Sequence, residues 1–229
     1  MNIVMIGGST GIGFEYYKKA KSRGDKVFVL SRTQHEVADS DWKLFDVLDC
    51  LDGGSAFPDV FESIDALIYL PGSVNLGSFK RFSKEDVLND FKLNTLGAFE
   101  AVKSYIKALS KAESPSITFF SSVVVQTGMN FHSLVGMSKG AIEGLTKNLA
   151  AELAPKIRVN AIAPSLVATP LTSKLRRNEK SVENIAKNHP LKRIGNADEL
   201  SDMLQVLTHF SPWMTGQILA YDGGISSLR

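Results

Sequence analysis

Gly7, Gly11 and Gly13 close a short apolar run at residues 3–6 and open a helical pattern that begins at Phe14. Strand, glycine turn and helix together aim backbone N–H groups and the positive end of a helix dipole at an anion, most often a pyrophosphate. Glycine permits the tight turn and lets a ligand approach the backbone with no Cβ in the way. The next informative pair is Ser31-Arg32, at the end of a second apolar run. A carboxylate there would accept hydrogen bonds from the adenine ribose of NAD; a guanidinium instead forks onto a phosphate. NADP(H) is therefore favoured over NAD(H). Further along stand Ser122, Lys139 and His132. A serine with a lysine can act as nucleophile and base, although no oxyanion hole is evident in the sequence. A histidine titrates where proton transfer near neutrality needs it, although a histidine at a helix start is more often a loop or capping residue. No metal site is expected.

These residues need a scaffold. The chain has 229 residues, 44% hydrophobic and 22% charged, with a net charge of +2. That composition suits a single soluble α/β domain over residues 1–229 and gives no reason to expect nucleic-acid or membrane partners. The lone cysteine, Cys50, excludes an internal disulfide and suits a cytoplasmic setting. The first residues run into a strand without a basic region and cleavage site, so no signal peptide is expected. Apolar runs at residues 25–30, 43–45, 65–70, 116–121, 158–163 and 217–221 read as further strands. Between Arg32 and residue 43 there is room for about ten residues, less than a full crossover helix needs. The next crossover, residues 50–63, carries Gly53, Gly54 and Pro58 and has room for one or two helical turns. Ser83 followed by Lys-Glu-Asp86 predicts a capped long helix with Val87, Leu88, Phe91, Leu93, Leu96, Phe99, Val102 and Ile106 on its apolar face. A second long helix is predicted over 133–153 and another over 199–209. Strand and helix alternate throughout, which predicts a doubly wound parallel sheet of Rossmann type with shortened second and third crossovers and a ligand beyond the carboxyl ends of the strands.

In that order and spacing, Gly7-x-x-x-Gly11-x-Gly13, Asp46, Gly72, Asn94, Ser121-Ser122, Lys139, the segment Pro164 to Thr169, and Asp222-Gly-Gly224 make the chain resemble the short-chain dehydrogenase/reductase family over nearly its whole length. The resemblance implies a nicotinamide dinucleotide held by Gly7, Ser9, Thr10, Gly11, Ile12 and Gly13, by Ser31 and Arg32, by Asp46 and Val47 at the adenine, and by Gly72, Lys139, Pro164 and Thr169, with Thr169 on the carboxamide. It implies Asn94, Ser122 and Lys139 as catalytic residues acting on a small-molecule substrate. It also implies a homodimer or homotetramer built through the two long helices.

One position departs from the family. Its acid–base is a tyrosine four residues before the lysine, so that the ammonium lies beside the phenol and lowers its pKa. Here that position is Val135, which moves no proton. Three substitutes are open: His132 as acid; Tyr69, at the end of the fourth strand, which more often packs on cofactor or core; and Lys139 itself if burial lowers its pKa, against its ordinary role of holding the cofactor ribose. Lys174, Arg176, Arg177, Lys180 and Lys187 fall at 172–190, where the family has its substrate lid. They would favour an acidic or phosphorylated substrate, although charge runs usually face water. Three functions follow: an NADP(H)-dependent oxidoreductase with a non-standard proton donor, a non-catalytic NADP-binding sensor or partner subunit, or a non-redox lyase or isomerase.

Overall fold

The computed structural model describes residues 1–35 and 41–228. Part of the short connection predicted between Arg32 and the third strand lies outside them. Strand β1 (Asn2–Ile6) stands in the middle of the sheet, and Ile3 to Ile6 are fully buried. With apolar residues facing both layers, such a run can only be a central parallel strand. Helix α1 (Gly11–Ser22) crosses to β2 (Lys26–Ser31), which pairs with β3 (Trp42–Leu44). Helix α2 (Val47–Leu51) is one short piece, and β4 (Ala66–Tyr69) follows on the other side of β1. Then come α3 (Lys84–Phe91), a π-helical segment (Lys92–Leu96) and α4 (Gly97–Leu109), running into one another as a continuous helical stretch. Strand β5 (Ser116–Phe120), the short α5 (Val124–Thr127), the long α6 (Ser133–Leu153) and β6 (Arg158–Pro164) complete the second wing. The remainder is β7 (Val167–Ala168), a 3-10 turn (Pro170–Arg176), α7 (Glu179–Asn188), β8 (Gly195–Asn196), α8 (Ala197–Gln205), a π segment (Val206–Phe210) and β9 (Ile218–Tyr221).

Seven strands lie in the order β3-β2-β1-β4-β5-β6-β9, all parallel, so the predicted doubly wound Rossmann-type sheet is the observed one. One hydrophobic cluster fills each face. Val4, Ile6, Leu67 and Tyr69 point to the side covered by α4 and α6; Ile3, Met5, Ala66 and Ile68 point to the side covered by α1 and α8. Each fully buried Ile or Leu contributes roughly 1.5–3 kcal/mol of transfer free energy, so the centre of the sheet is its most strongly held part. The strand ends above it form a stable rim. Among the described residues no helix is long and apolar enough to cross a membrane.

Local signals worked where they were strong. Ser83 caps α3: its hydroxyl accepts from the Asp86 N–H at 3.1 Å, and Asp86 accepts from the Ser83 N–H at 2.8 Å. Helix α6 runs over the predicted residues. Of the apolar face predicted for the α3–α4 stretch, Val102 is buried and Leu93 and Ile106 pack on the core, whereas three members are corrected. Leu88, Phe91 and Phe99 are exposed, whereas Asp90, Asn94, Thr95, Ala98 and Ala101 are buried. Along α4 the inward stripe of Ala98, Ala101, Val102, Tyr105 and Leu109 packs into the core, and ahead of it Asp90 and Thr95 hydrogen-bond to Ser138 of α6.

Candidate active site

The turn after β1 is built for an anion. Gly7, Gly8 and Gly11 have φ of 83°, 99° and 59°, which only glycine adopts without strain. A Cβ on Gly13 would run into the Gly8 backbone, and one on Gly11 would lie 3.2 Å from the Thr169 side chain. Thr10, at the N-cap of α1, makes no side-chain cap, and no acidic residue stands in the first turn. The N–H groups of that turn are thus left for a ligand, and the helix dipole adds to their pull.

The turn forms one wall of a cleft of about 480 Å³ at the carboxyl ends of β1, β2, β3 and β4. Gly7, Ser9, Thr10, Gly11, Ile12, Gly13, Ser31, Arg32, Asp46, Val47, Gly72 and Thr169 all line it. Pro164 and Lys139 do not; they line the adjoining cavity. The glycine cradle, the free helix terminus and a lining that runs from Arg32 to Gly72 fit a dinucleotide.

At the far end, Ser31 differs from expectation. Its hydroxyl donates to the Thr33 carbonyl at 2.6 Å and accepts from the Trp42 Nε1–H at 2.8 Å, so it is fully engaged and buried. The hydroxyls that reach the cleft are Thr33 and Ser9, joined at 2.8 Å. Thr33 was missed because its neighbour looked like the better candidate; the competing Trp42 comes from another strand. Arg32 is exposed on the lip, and Lys43 of β3 lines the neighbouring hollow with it. Asp46 accepts from the Leu48 N–H at 2.9 Å and caps α2, which fixes that edge of the cleft.

Beyond Gly72 the cleft opens into a cavity of about 370 Å³. Lys139 and Val135, one turn apart on α6, share its wall with Ser122, His132 and Thr169. No tyrosine among the described residues lines it. Most of the remaining wall is apolar: Leu70, Val74, Phe120, Met129, Leu166 and Leu175 among others.

Lys139 is 9% exposed, and burial brings its pKa down from 10.5 to about 8, with Asp90 pulling the other way. A Cβ on Gly72 would lie 3.2 Å from Lys139 Nζ and 3.0 Å from Asn94 Oδ1, so this glycine lets the two groups converge. Asn94 sits in the π segment, a widened turn that α-helical periodicity does not reveal. Its Nδ2 donates to Ser73 Oγ at 2.8 Å and to the Asp90 carbonyl at 2.9 Å.

Asp90 is a second residue that the sequence did not single out. It is 3% exposed and accepts from the Ser73 hydroxyl, from Asn75 Nδ2 at 3.0 Å and from the Ser138 hydroxyl at 2.6 Å. The signal was available: Asp90 and Asn94 lie four apart on a helix, and Ser138 adjoins Lys139.

The substitutes for the phenol now separate. Tyr69 is excluded: it is 2% exposed, it donates to the Leu93 carbonyl at 2.6 Å, and burial pushes its pKa far up. His132 reaches the cavity wall from the N-cap of α6, with Nδ1 2.7 Å from the Asn130 carbonyl. The basic residues at 172–190 do not line the cavity. Lys174, Arg177, Lys180 and Lys187 are exposed, and Arg176 donates to the Thr169 carbonyl at 2.8 Å. From this segment Thr172, Leu175, Ile185, Asn188 and His189 face inward instead.

The profile of the family described as enoyl-(acyl carrier protein) reductase matches residues 7–226. Carbonyl reductase family member 4 of Danio rerio is 30% identical over 238 residues, covering 98% of both chains. Aldohexose dehydrogenase of Thermoplasma acidophilum superposes with a TM-score of 0.86 at 27% identity, over 98% of this chain and 93% of that one. ElxO, solved with NADP bound, superposes with a TM-score of 0.84 at 25% identity, over 99% and 98%.

Proposed function

The chain belongs to the short-chain dehydrogenase/reductase family, and on that footing we propose that it is an NADP(H)-dependent oxidoreductase acting on a carbonyl or alcohol with an apolar body. The observation that carries this reading is the continuity of the two spaces: a glycine-walled cleft ending at Arg32 opens, past Gly72, onto Lys139 and Ser122. The turn from Gly7 to Gly13 binds the pyrophosphate. Arg32, with the Thr33 and Ser9 hydroxyls beside it, takes the phosphate on the adenosine ribose. Thr169 holds the carboxamide, and Lys139 the nicotinamide ribose. When bound, the reduced nicotinamide supplies a hydride. Ser122 orients the substrate oxygen, and the apolar wall keeps water from the reacting carbon. An apolar cavity takes an alkyl or aryl chain in preference to a charged one. Leu88, Phe91 and Phe99, exposed on the α3–α4 stretch, support assembly of a homodimer or homotetramer. The free Cys50 thiol supports a reducing, cytoplasmic setting.

The test is fluorescence titration with NADPH and NADH, followed by NADPH consumption with aliphatic aldehydes of increasing chain length. Tighter binding of NADPH, with kcat/KM rising with chain length, is the expected result. Equal affinity for the two dinucleotides overturns the NADP assignment. One observation favours a second reading, a dinucleotide-binding protein without turnover: Val135 stands beside Lys139, and no tyrosine among the described residues lines the cavity. Tight NADPH binding with no consumption would select it.

A further inference from the structure

Ser165 follows Pro164 at the carboxyl end of β6, and His189 follows the last residue of α7. Their side chains meet, with Ser165 Oγ 2.8 Å from His189 Nε2. The other ring nitrogen, Nδ1, lies 2.9 Å from the Ile185 carbonyl. A carbonyl only accepts, so Nδ1 carries a hydrogen. In the neutral ring Nε2 is therefore an acceptor, and Ser165 donates to it. In the charged ring Nε2 donates to Ser165, which frees the serine hydrogen to point elsewhere. His189 is 2% exposed, so the ring is held in this orientation.

The position of the pair matters as much as its chemistry. Both residues line the 370 Å³ cavity that holds Ser122, Lys139 and Thr169. Both also line a second cavity of about 420 Å³ on the outer side. They are the partition between the two spaces. Asp222 stands in the outer one; burial pushes its carboxyl up, but the Ser226 side chain and the Gly224 and Ser226 N–H groups, with His189 in smaller part, bring it below the usual range.

We propose that Ser165 and His189 form a proton relay that serves the substrate oxygen from the outer cavity, in place of the phenol that Val135 does not supply. The relay rests on the oxidoreductase reading above. As hydride from the reduced dinucleotide bonds to the carbonyl carbon, the π pair moves onto oxygen. That oxygen takes the Ser165 Oγ proton, and Ser165 takes the proton on Nε2 of charged His189. The ring is left neutral with its Nδ1–H still on Ile185, and water in the outer cavity restores its proton. The carbonyl is reduced to an alcohol, and the dinucleotide that gave the hydride is oxidised. Among the described residues, the titratable groups that share the two cavities with His189 are Asp222, Tyr221, Arg193 and Glu199 outside, and Lys139 and His132 inside. Arg193 and Glu199 neutralise one another at 2.7 and 2.8 Å, and Asp222 remains as a carboxylate lining the outer cavity.

Two measurements test the relay. The first needs no cofactor: ¹⁵N NMR of the ligand-free protein should show the neutral His189 ring protonated on Nδ1 and bare on Nε2. The opposite tautomer overturns the relay. The second follows kcat against pH with NADPH and decanal. Wild-type kcat should fall as pH rises, because only the doubly protonated ring carries the proton that the relay passes on. Ser165→Ala and His189→Gln should each lower kcat by about 10²-fold and lose that fall, while NADPH affinity holds; the double variant should be no worse than either alone. Ser165→Thr, which keeps the hydroxyl, should restore the profile. Wild-type kcat and profile in Ser165→Ala and His189→Gln overturn the relay, as does loss of the profile in His132→Ala alone. Failure of the wild type to bind NADPH overturns the oxidoreductase reading instead, and bound NADPH left unconsumed overturns both.

Discussion

Replacing Lys139 by methionine should make the ligand-free protein more stable while removing its activity. The ammonium is buried, and no carboxylate comes within ion-pair distance of it among the described residues. Burial holds the pKa at about 8 rather than 10.5, and that displacement corresponds to about 3 kcal/mol of folding free energy spent on keeping the charge inside. The sign follows from proton counting. Below pH 8 the lysine is charged in both folded and unfolded chains, and the whole cost is present. Between 8 and 10.5 the folded chain releases its proton first, the unfolded chain binds more protons, and stability climbs with pH. Above 10.5 both are neutral and the cost has gone. Methionine keeps an unbranched apolar stem in the same space. Urea unfolding at pH 7 should therefore place Lys139→Met about 2–3 kcal/mol above the wild type, with the difference shrinking towards zero as pH approaches 10.5. A variant less stable than the wild type at pH 7, or a difference that does not change with pH, would refute the argument.

Arg32→Ala should weaken NADPH binding about 10- to 100-fold by calorimetry and leave NADH nearly unchanged, because a charge-assisted contact to phosphate is worth roughly 1.5–3 kcal/mol. Gly11→Ala should cost about 1–2 kcal/mol in urea unfolding, since φ is 59° and the new Cβ meets Thr169, and it should weaken both dinucleotides together. Asp90→Asn should destabilise the protein by about 2–4 kcal/mol, because an amide cannot accept all three bonds from Ser73, Asn75 and Ser138. With the nearby negative charge gone, the same change should carry the Lys139 titration below pH 8, measurable by lysine side-chain NMR.

How far the sequence foretold this molecule depended on the range over which each signal acts. The glycine turn, the Ser83 cap and α6 rest on neighbours within a few residues, and all three stand where local chemistry put them. Leu88, Phe91 and Phe99 misled because an apolar residue on a helix says nothing about which neighbour covers it. The true inward face is given by Asp90 and Asn94, whose partners Ser73 and Ser138 come from a distant loop and helix. The engagement of Ser31 depends on Trp42, one strand away. The pairing of Ser165 with His189 depends on how the chain returns after α7. In each case the deciding contact is tertiary, and spacing along the chain cannot supply it.

The widened turn at Lys92–Leu96 has a consequence for how such sites change over evolutionary time. Tyr69 passes its hydroxyl to the Leu93 carbonyl inside that turn, and Gly97 has no side chain because the Tyr69 phenol and Val47 fill the place where a Cβ would stand. The phenol at position 69 thus requires the absence of a side chain at position 97, whereas position 93 gives only its backbone carbonyl. A homologue that carries alanine at the place of Gly97 should carry something smaller than tyrosine at the place of Tyr69, and aligned homologues should show the two columns changing in concert.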